Sequence, residues 1–469
     1  MQIGITKHVT IRHDSIWARV DHADALHIEE CLQFKAAYWK QGRFHKERVE
    51  YAKNLLVRTG RGRRFYSGLI PRVKQFCDKR GISLETIEDP HPKIEVNKNP
   101  RLHGIKFRPD QLHLIHKAIE HKRGVLVAPM RTGKTIVMLG ILSMMPTARV
   151  LFLCHSKDVI FQTADELKSF GYEDWTIFGA GKTPFPGERI HIATIQSFIK
   201  YLEKGVILAS GPKIIADYNI ILVDEAHHVS KFKGTYASIL SAVYAEYKIG
   251  VTATPPPIKQ KTENAYALEA FIGPIIGKVG YKAGYQLEIL AKPKVRLLRT
   301  TLNYTIKEIK NWADAYKRGI VNNPERNRLI IDCAKEYINQ GKSVLIIVRY
   351  VAHGETLHSL APPGTSLIYG ETPDDIRRQA KFALDRKDTK CVICSAVWKE
   401  GVNIPSLDVI INAAGGKSEI STLQAVGRGL TRTKDKDKAI IVDFFDPSNY
   451  YFISHFGERI TLYMDNDWM

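Results

Sequence analysis

Gly124 to Thr135 read GVLVAPMRTGKT, an apolar run of buried-strand type followed by a turn and the start of a helix. A strand-loop-helix junction of this kind is a natural phosphate cradle, because the helix N-terminus offers free N–H groups and the positive end of its dipole. Gly133 lets the backbone approach closely, Lys134 can reach β- and γ-phosphates, and the Thr135 hydroxyl can ligate Mg²⁺. Pro129, Met130, Arg131 and Thr132 complete the loop. Ala128 stands where the usual pattern opens with Gly, and Arg131 where Gly is frequent. Taken alone, G-K-T after a strand also fits an ordinary glycine turn.

Outward from this loop the pattern repeats. GVLVAP, RVLFLC, RIHIAT, IILVDEA and YKIGVTAT alternate with amphipathic helical stretches up to about residue 290. A less regular stretch around LAKPKVRLLRT precedes a second series: helical NPERNRLIIDCAKEYINQ, then SVLIIVRY, CVICSAV, LDVIINAA and AIIVDFF. Such alternation is the mark of βαβ units and parallel sheets, so the fold class is α/β with two lobes in tandem. Within the first lobe, IILVDEAHHV (220 to 229) sets two adjacent acids at the end of an apolar strand, where a parallel neighbour brings them beside the phosphate loop. Asp224 is suited to hold Mg²⁺ and Glu225 to orient or deprotonate an attacking water.

Charge sets the N-terminal part apart. The chain has 469 residues, 69 Lys+Arg and 49 Asp+Glu, a net charge of +20 that suits a polyanionic partner. Between Lys40 and Arg80 stand thirteen basic residues against Glu47, Glu50 and Asp78, a local balance of +10. VTIRHDSIWARV reads as a strand pair and LIPRVKQFCDKRG as a helix, with Leu69, Val73 and Phe76 at helical spacing before Gly81. DPHPKIEVNKNP (89 to 100) reads as a linker. These signals predict a small basic α+β domain over 1–95, a first lobe over 96–292 and a second over 293–469.

The remaining composition, 44% hydrophobic and 25% charged, excludes collagenous, coiled-coil and wholly disordered chains. Six scattered cysteines suit a reducing compartment, and Cys391 and Cys394 read as buried strand residues rather than metal ligands. With no signal-type N-terminus and no run of about 18 apolar residues, a soluble cytoplasmic protein without membrane contact is expected.

LVDEAHH, the TAT of Thr252 to Thr254 and QAVGR at Gln424 to Arg428, in that order, resemble superfamily-2 helicases and translocases of the DEAH type over about residues 100 to 445. The resemblance implies two RecA-like lobes that use ATP and Mg²⁺. It implies an adenine contact through Arg108 and Gln111 in FRPDQ, and coupling of nucleotide state to lobe movement through His227, Thr252 and Thr254. In SAVWKEGVNIP it implies that Gly401 and Asn403 face the nucleotide, with Ser395 where a phosphate-contacting Thr is common. Gln424 belongs to the same motif as the arginine finger, Arg428. The family's Q-x-x-G-R-x-x-R ends here in Thr431, with Arg432 next door, so either Arg432 is the second finger or one finger operates.

Motors of this type hold a strand mainly by its phosphates. Motif matches for that track are Ser156, Lys157, Thr194, Gln196, Ser197, Arg349 and Ser395, each equally readable as a helix cap or loop residue. Arg61, Arg63 and Arg64 in GRGRRFY add a basic patch beside aromatics. FYSGLIPRVKQFCDKRGI ahead of the motor is similar to the N-terminal domain of phage UvsW-type helicases, which implies branched or forked DNA as partner, in recombination, repair or replication; a monomeric motor is the separate expectation for assembly. A double-strand DNA translocase subunit, an RNA helicase and an ATP-clamped nucleic-acid-binding scaffold remain as alternatives.

Overall fold

The computed structural model describes the chain except for residues 1–7, 42–45, 93, 130–131, 156, 180–186, 204–217, 257–260, 281–291, 396–403, 405, 417–437 and 466–467. It divides into two compact units, Met1–Ala128 with Gly133–Lys278, and Pro129–Thr132 with Val279–Met469.

The first unit opens with β1 (His8–His13) and β2 (Trp17–Val20), the expected antiparallel pair. Asp14 makes the turn between them by accepting the N–H groups of Ile16 and Trp17, each at 2.7 Å. A ribbon of β3 (Gln33–Gln41) and β4 (Lys46–Asn54) follows, then β5 (Val57–Thr59), β6 (Gly62–Tyr66), helix α1 (Ile70–Arg80) and β7 (Ser83–Glu88). The sheet order is β5-β6-β2-β1-β7. Helix α1 buries Val73 and Cys77, with Leu69 at its N-cap, in the same core as that sheet and ends on Gly81, whose φ of 65° is the left-handed cap that glycine tolerates best. The basic residues of its last turn, Lys79 and Arg80, suit the negative end of its dipole.

Lobe 1 supplies α2 (Pro109–His121), β8 (Arg123–Val127), α3 (Lys134–Met144), β9 (Val150–Cys154), α4 (Lys157–Ser169), β10 (Trp175–Phe178), β11 (Ile190–Thr194), α5 (Ile195–Glu203), β12 (Ile220–Asp224), β13 (Tyr247–Thr252), α6 (Glu263–Phe271) and β14 (Ile275–Lys278). All seven strands pair in parallel, in the order β10-β11-β9-β12-β13-β8-β14. The continuous apolar runs are explained by burial on both faces: β9, β11 and β13 are buried along their whole length.

The N-terminal sheet shares its core with this lobe through α6. Tyr266 and Ala270 lie in the same apolar cluster as Val9, Phe65 and Leu69. Arg72 pairs with Glu269 at 2.6 Å and lies over the Tyr266 ring, while Arg123 donates to Ser15 O and Ser67 Oγ. A Cβ on Gly68 would run into the Glu269 and Ala270 carbonyls, so only glycine lets the two backbones meet.

The second unit is a six-stranded parallel sheet of order β15-β20-β19-β16-β18-β17, made of β15 (Lys292–Arg299), β16 (Val344–Ile347), β17 (Ser366–Ile368), β18 (Cys391–Cys394), β19 (Val409–Asn412) and β20 (Lys438–Phe445). Its helices include α7 (Trp312–Tyr316), α8 (Pro324–Asn339) and α9 (Tyr450–Asp465). The stretch expected to be irregular, KPKVRLLR, is instead β15, paired with β20 through eight residues. It is an edge strand, where a proline and several cations are compatible with pairing on one side, and those residues masked its pattern. All six cysteines are buried, Cys391 and Cys394 within β18. Among the described residues no helix is long and apolar enough to cross a membrane, and no cluster of three or more His, Cys, Asp or Glu could hold a metal ion.

Candidate active site

The phosphate-loop residues, the paired acids and the TAT segment leave the same edge of the lobe 1 sheet, at the C-terminal ends of β8, β12 and β13. This is where parallel sheets place ligands. The acids stand beside the phosphate loop, as expected, although β13 lies between their strand and β8. That intervening strand carries Thr252, whose backbone carbonyl accepts from Ala128 N at 3.0 Å and so ties the start of the loop to the sheet.

Gly133 precedes α3 with φ 84°, and a Cβ there would stand 2.6 Å from the Gln111 side chain, so both conformation and space call for glycine. The N-cap residue is Gly133 itself, which has no side chain to bond the first-turn N–H groups, so they suit an anion. Thr132 is buried and donates to Pro129 O at 2.7 Å, and Thr135 lies half-buried in the first turn. Lys134 Nζ is 2.6 Å from Glu225 Oε1. His227 Nδ1 lies 3.2 Å from Glu225 Oε2 and 2.9 Å from Thr252 Oγ1, and that hydroxyl also accepts Thr254 N at 3.2 Å. Lysine, acid, histidine and threonine thus form one polar chain across three strand ends, half-buried at Lys134 and Glu225 and buried at His227 and Thr252.

Burial works against each charge in it, and the balance differs by residue. Burial would raise the Glu225 carboxyl, but Lys134 and His227 outweigh it and hold the group well below the usual carboxylate range. Burial would lower the Lys134 ammonium, but Glu225 and Asp224 outweigh it and raise it. For Asp224 burial wins over Lys134, with Glu225 adding repulsion, and the carboxyl is pushed up to about 6. Glu225 also has φ 48°, ψ 52°, a left-handed conformation uncommon outside glycine and typical of functional turns.

These residues fit a Mg²⁺-bound triphosphate. A glycine-initiated helix N-terminus and Lys134 suit the phosphates, and a carboxylate with too little compensating positive charge, Asp224, suits the cation, with the Thr135 hydroxyl as a further candidate ligand. Arg108 and Gln111 stand at the start of α2, where Arg108 chelates Asp110 through Nε and Nη2, each at 3.1 Å, and Gln111 Oε1 accepts Arg108 N. Met130, Arg131, Ser156, Gly401, Asn403, Gln424, Arg428 and Arg432 lie outside the described residues.

The strand-contact candidates are dispersed. Lys157 is exposed at the start of α4. Thr194 Oγ1 accepts Ser197 N at 3.1 Å and donates to Ser197 Oγ at 2.8 Å, capping α5 and leaving Gln196 exposed. In the second unit, Ser395 is buried and Arg349 is exposed, its guanidinium 5.7 Å from the Tyr316 ring centroid and 5.5 Å from that of Tyr350. Of the three N-terminal arginines, Arg61 is exposed, Arg63 is half-buried against Glu29 at 3.4 Å, and Arg64 lies 4.1 Å over Trp17. Sequence reasoning missed the stack of His155 on His228, 3.9 Å apart with nearly parallel rings, beside the acids. Its only signal was a histidine directly after the apolar run RVLFLC.

Comparison with known proteins agrees with this architecture. Residues 104–257 match the family "Type III restriction enzyme, res subunit", and residues 327–431 match "Helicase conserved C-terminal domain". The chain belongs to the superfamily-2 helicases. It is 24% identical over 330 residues to IRC3, a helicase-family protein of Saccharomyces cerevisiae, covering 65% of this chain and 44% of the yeast protein. It thus spans less than half the length of that relative. It is also 19% identical over 446 residues to the ATP-dependent DNA helicase uvsW of Enterobacteria phage T4, covering 85% of each chain. In fold it is similar to the ATP-dependent Type ISP restriction-modification enzyme LlaBIII bound to DNA, with a TM-score of 0.54 at 15% identity, covering 84% of this chain and 32% of that one.

Proposed function

We propose that the protein is an ATP-dependent DNA helicase or translocase that unwinds or branch-migrates forked and four-way DNA. The observation that carries the reading is the polar chain from Lys134 through Glu225 and His227 to Thr252, set behind a glycine-initiated helix N-terminus. Lys134 and Glu225 neutralise each other before nucleotide arrives. A triphosphate at the helix N-terminus draws Lys134 away, and Glu225 is then an ionised carboxylate able to orient water and accept its proton. Thr135 and Asp224 would hold Mg²⁺, which would supply charge neutralisation on the phosphates. Because Glu225 and Thr252 share His227, a change at the acid is felt at the end of β13, which suits His227, Thr252 and Thr254 to couple hydrolysis to movement. Arg428 supplies positive charge to the transferring phosphoryl group.

DNA as the track is supported by the +20 net charge and by the DNA named for the uvsW and LlaBIII relatives. Branched DNA is what the resemblance of FYSGLIPRVKQFCDKRGI to UvsW-type helicases implies. Testing Glu225→Gln against the parent for ATP hydrolysis and DNA binding separates the site from the track. Loss of turnover with DNA binding retained is the expected result; hydrolysis at the parent rate removes Glu225 from the chemistry.

A further inference from the structure

Two loops that leave neighbouring strands of lobe 1 are joined by a pair of histidine rings. His228 lies in the tight turn after the acids, where its N–H donates to Glu225 O at 3.0 Å and Val229 N donates to Ala226 O at 3.0 Å. His155 is the first residue after β9. The two rings lie 3.9 Å apart with 7° between their planes, and His228 also meets the His227 ring at 4.2 Å. Both stacked histidines are half-buried.

The ladder between β12 and β9 ends at Val223 and Leu153. Beyond that pair one chain enters the acid turn and the other runs to α4, and the stacked rings bridge them. On its other side β9 stays paired with β11 as far as Cys154 and Thr194, and Thr194 caps α5 by accepting Ser197 N. His155 therefore stands between the acid turn and two loops that carry exposed strand-contact candidates, Lys157 at the start of α4 and Gln196 at the start of α5.

Rings in van der Waals contact transmit displacement, because repulsion is steep on approach and dispersion is lost on separation. The turn that carries His228 begins at Glu225, the residue whose partner changes when a triphosphate draws Lys134 away. A shift of that acid passes through one hydrogen-bonded turn to the His228 ring, and from there to the residue that opens the path to α4.

We propose that the His155–His228 stack couples the nucleotide site of lobe 1 to the DNA strand, with both histidines acting as positioning residues. This route is distinct from the one through His227 and Thr252, since β9 and β13 lie on opposite sides of β12. It rests on the reading of the protein as a DNA-dependent ATPase with Lys157 and Gln196 on the track. Neither ring of the stack touches the reacting atoms.

The test compares His155→Leu, His228→Leu and His155→Phe with the parent as full-length proteins. Hydrolysis is measured with and without saturating oligo-dT, binding of that labelled strand by anisotropy with and without a non-hydrolysable ATP analogue, and folding by thermal unfolding. Leucine fills the space without a flat ring, whereas phenylalanine keeps the ring. The expected result in both leucine variants is parent hydrolysis and KM for ATP without DNA, but weaker stimulation by DNA. The factor by which analogue and strand change each other's affinity should shrink about fivefold, equally in both directions because coupling between ligands is reciprocal. His155→Phe should restore both, which a structural role alone does not require. Parent coupling in a folded leucine variant overturns the proposal, and so does a folded His155→Phe that has lost it. A DNA-free rate lowered as much as the stimulated one also overturns it, since the rings would then serve hydrolysis itself. If the parent shows neither DNA-stimulated hydrolysis nor coupled binding, the reading of the motor falls, and this proposal with it.

Discussion

The two lobes solve the same electrostatic problem in opposite ways. Both bury charge near strand ends of a parallel sheet. In lobe 1, Lys134, Asp224 and Glu225 are unequally compensated: one ammonium faces two carboxylates, and Asp224 is pushed up to about 6. In the second unit Arg326 and Arg459 are matched one to one with Asp446 and Asp443, and each also donates to backbone carbonyls. An unbalanced cluster beside an open helix N-terminus is ready to take up charge, whereas a balanced cluster is a fixture. The difference teaches that burial of charge alone does not identify a reactive site; incomplete compensation does.

The contrast can be broken first on the balanced side. Asp443→Ala leaves Arg459 buried without its partner, and an expected loss of about 3–5 kcal/mol should appear as a lower denaturation midpoint of the second unit. An unchanged midpoint would make that pair dispensable. On the unbalanced side the expected effect is on rate: Lys134→Ala should lower ATP turnover by roughly 10²–10³-fold, with DNA binding retained in a filter or fluorescence assay.

A smaller effect sharpens the claim about compensation. Asp224 must be ionised to hold Mg²⁺, so Mg²⁺-dependent nucleotide affinity should fall as pH drops through about 6, and Asp224→Asn should abolish that dependence. Stability responds with the opposite sign. The carboxyl binds its proton more tightly in the folded protein than at its ordinary value of 3.8, so its contribution to stability improves as pH falls from about 6 towards 4. Titration calorimetry of nucleotide and thermal unfolding over the same pH series should therefore diverge. Least of all, Arg61→Ala should reduce the salt dependence of DNA binding by about one unit of log–log slope, with less change for Arg63→Ala, since Arg63 is already paired with Glu29.

Much of this was legible in the chain itself because periodicity and spacing are local properties. The runs ending at Val127, Asp224 and Thr252 announced buried parallel strands, and G-K-T with D-E-A-H announced that a lysine and acids would meet at their ends. Strand order was not legible: that β13 separates β12 from β8 follows from crossovers, which leave no mark on hydropathy. Edge strand β15 hid behind its cations and Pro293. The joint core of the N-terminal sheet and lobe 1, through Arg72, Gly68 and Tyr266, was hidden because its partners stand about 200 residues apart. Arg459 was silent for the same reason, as one arginine in a basic chain whose meaning comes from Asp443 and two distant carbonyls.

The most direct test of the central claim is steady-state ATP hydrolysis with single-stranded DNA, duplex DNA, a four-way junction and single-stranded RNA, each followed by strand separation on the same substrate. The account predicts the strongest stimulation and strand exchange with the four-way junction, both lost in Lys134→Ala. Stimulation by plain duplex without strand separation, or by RNA alone, would contradict it.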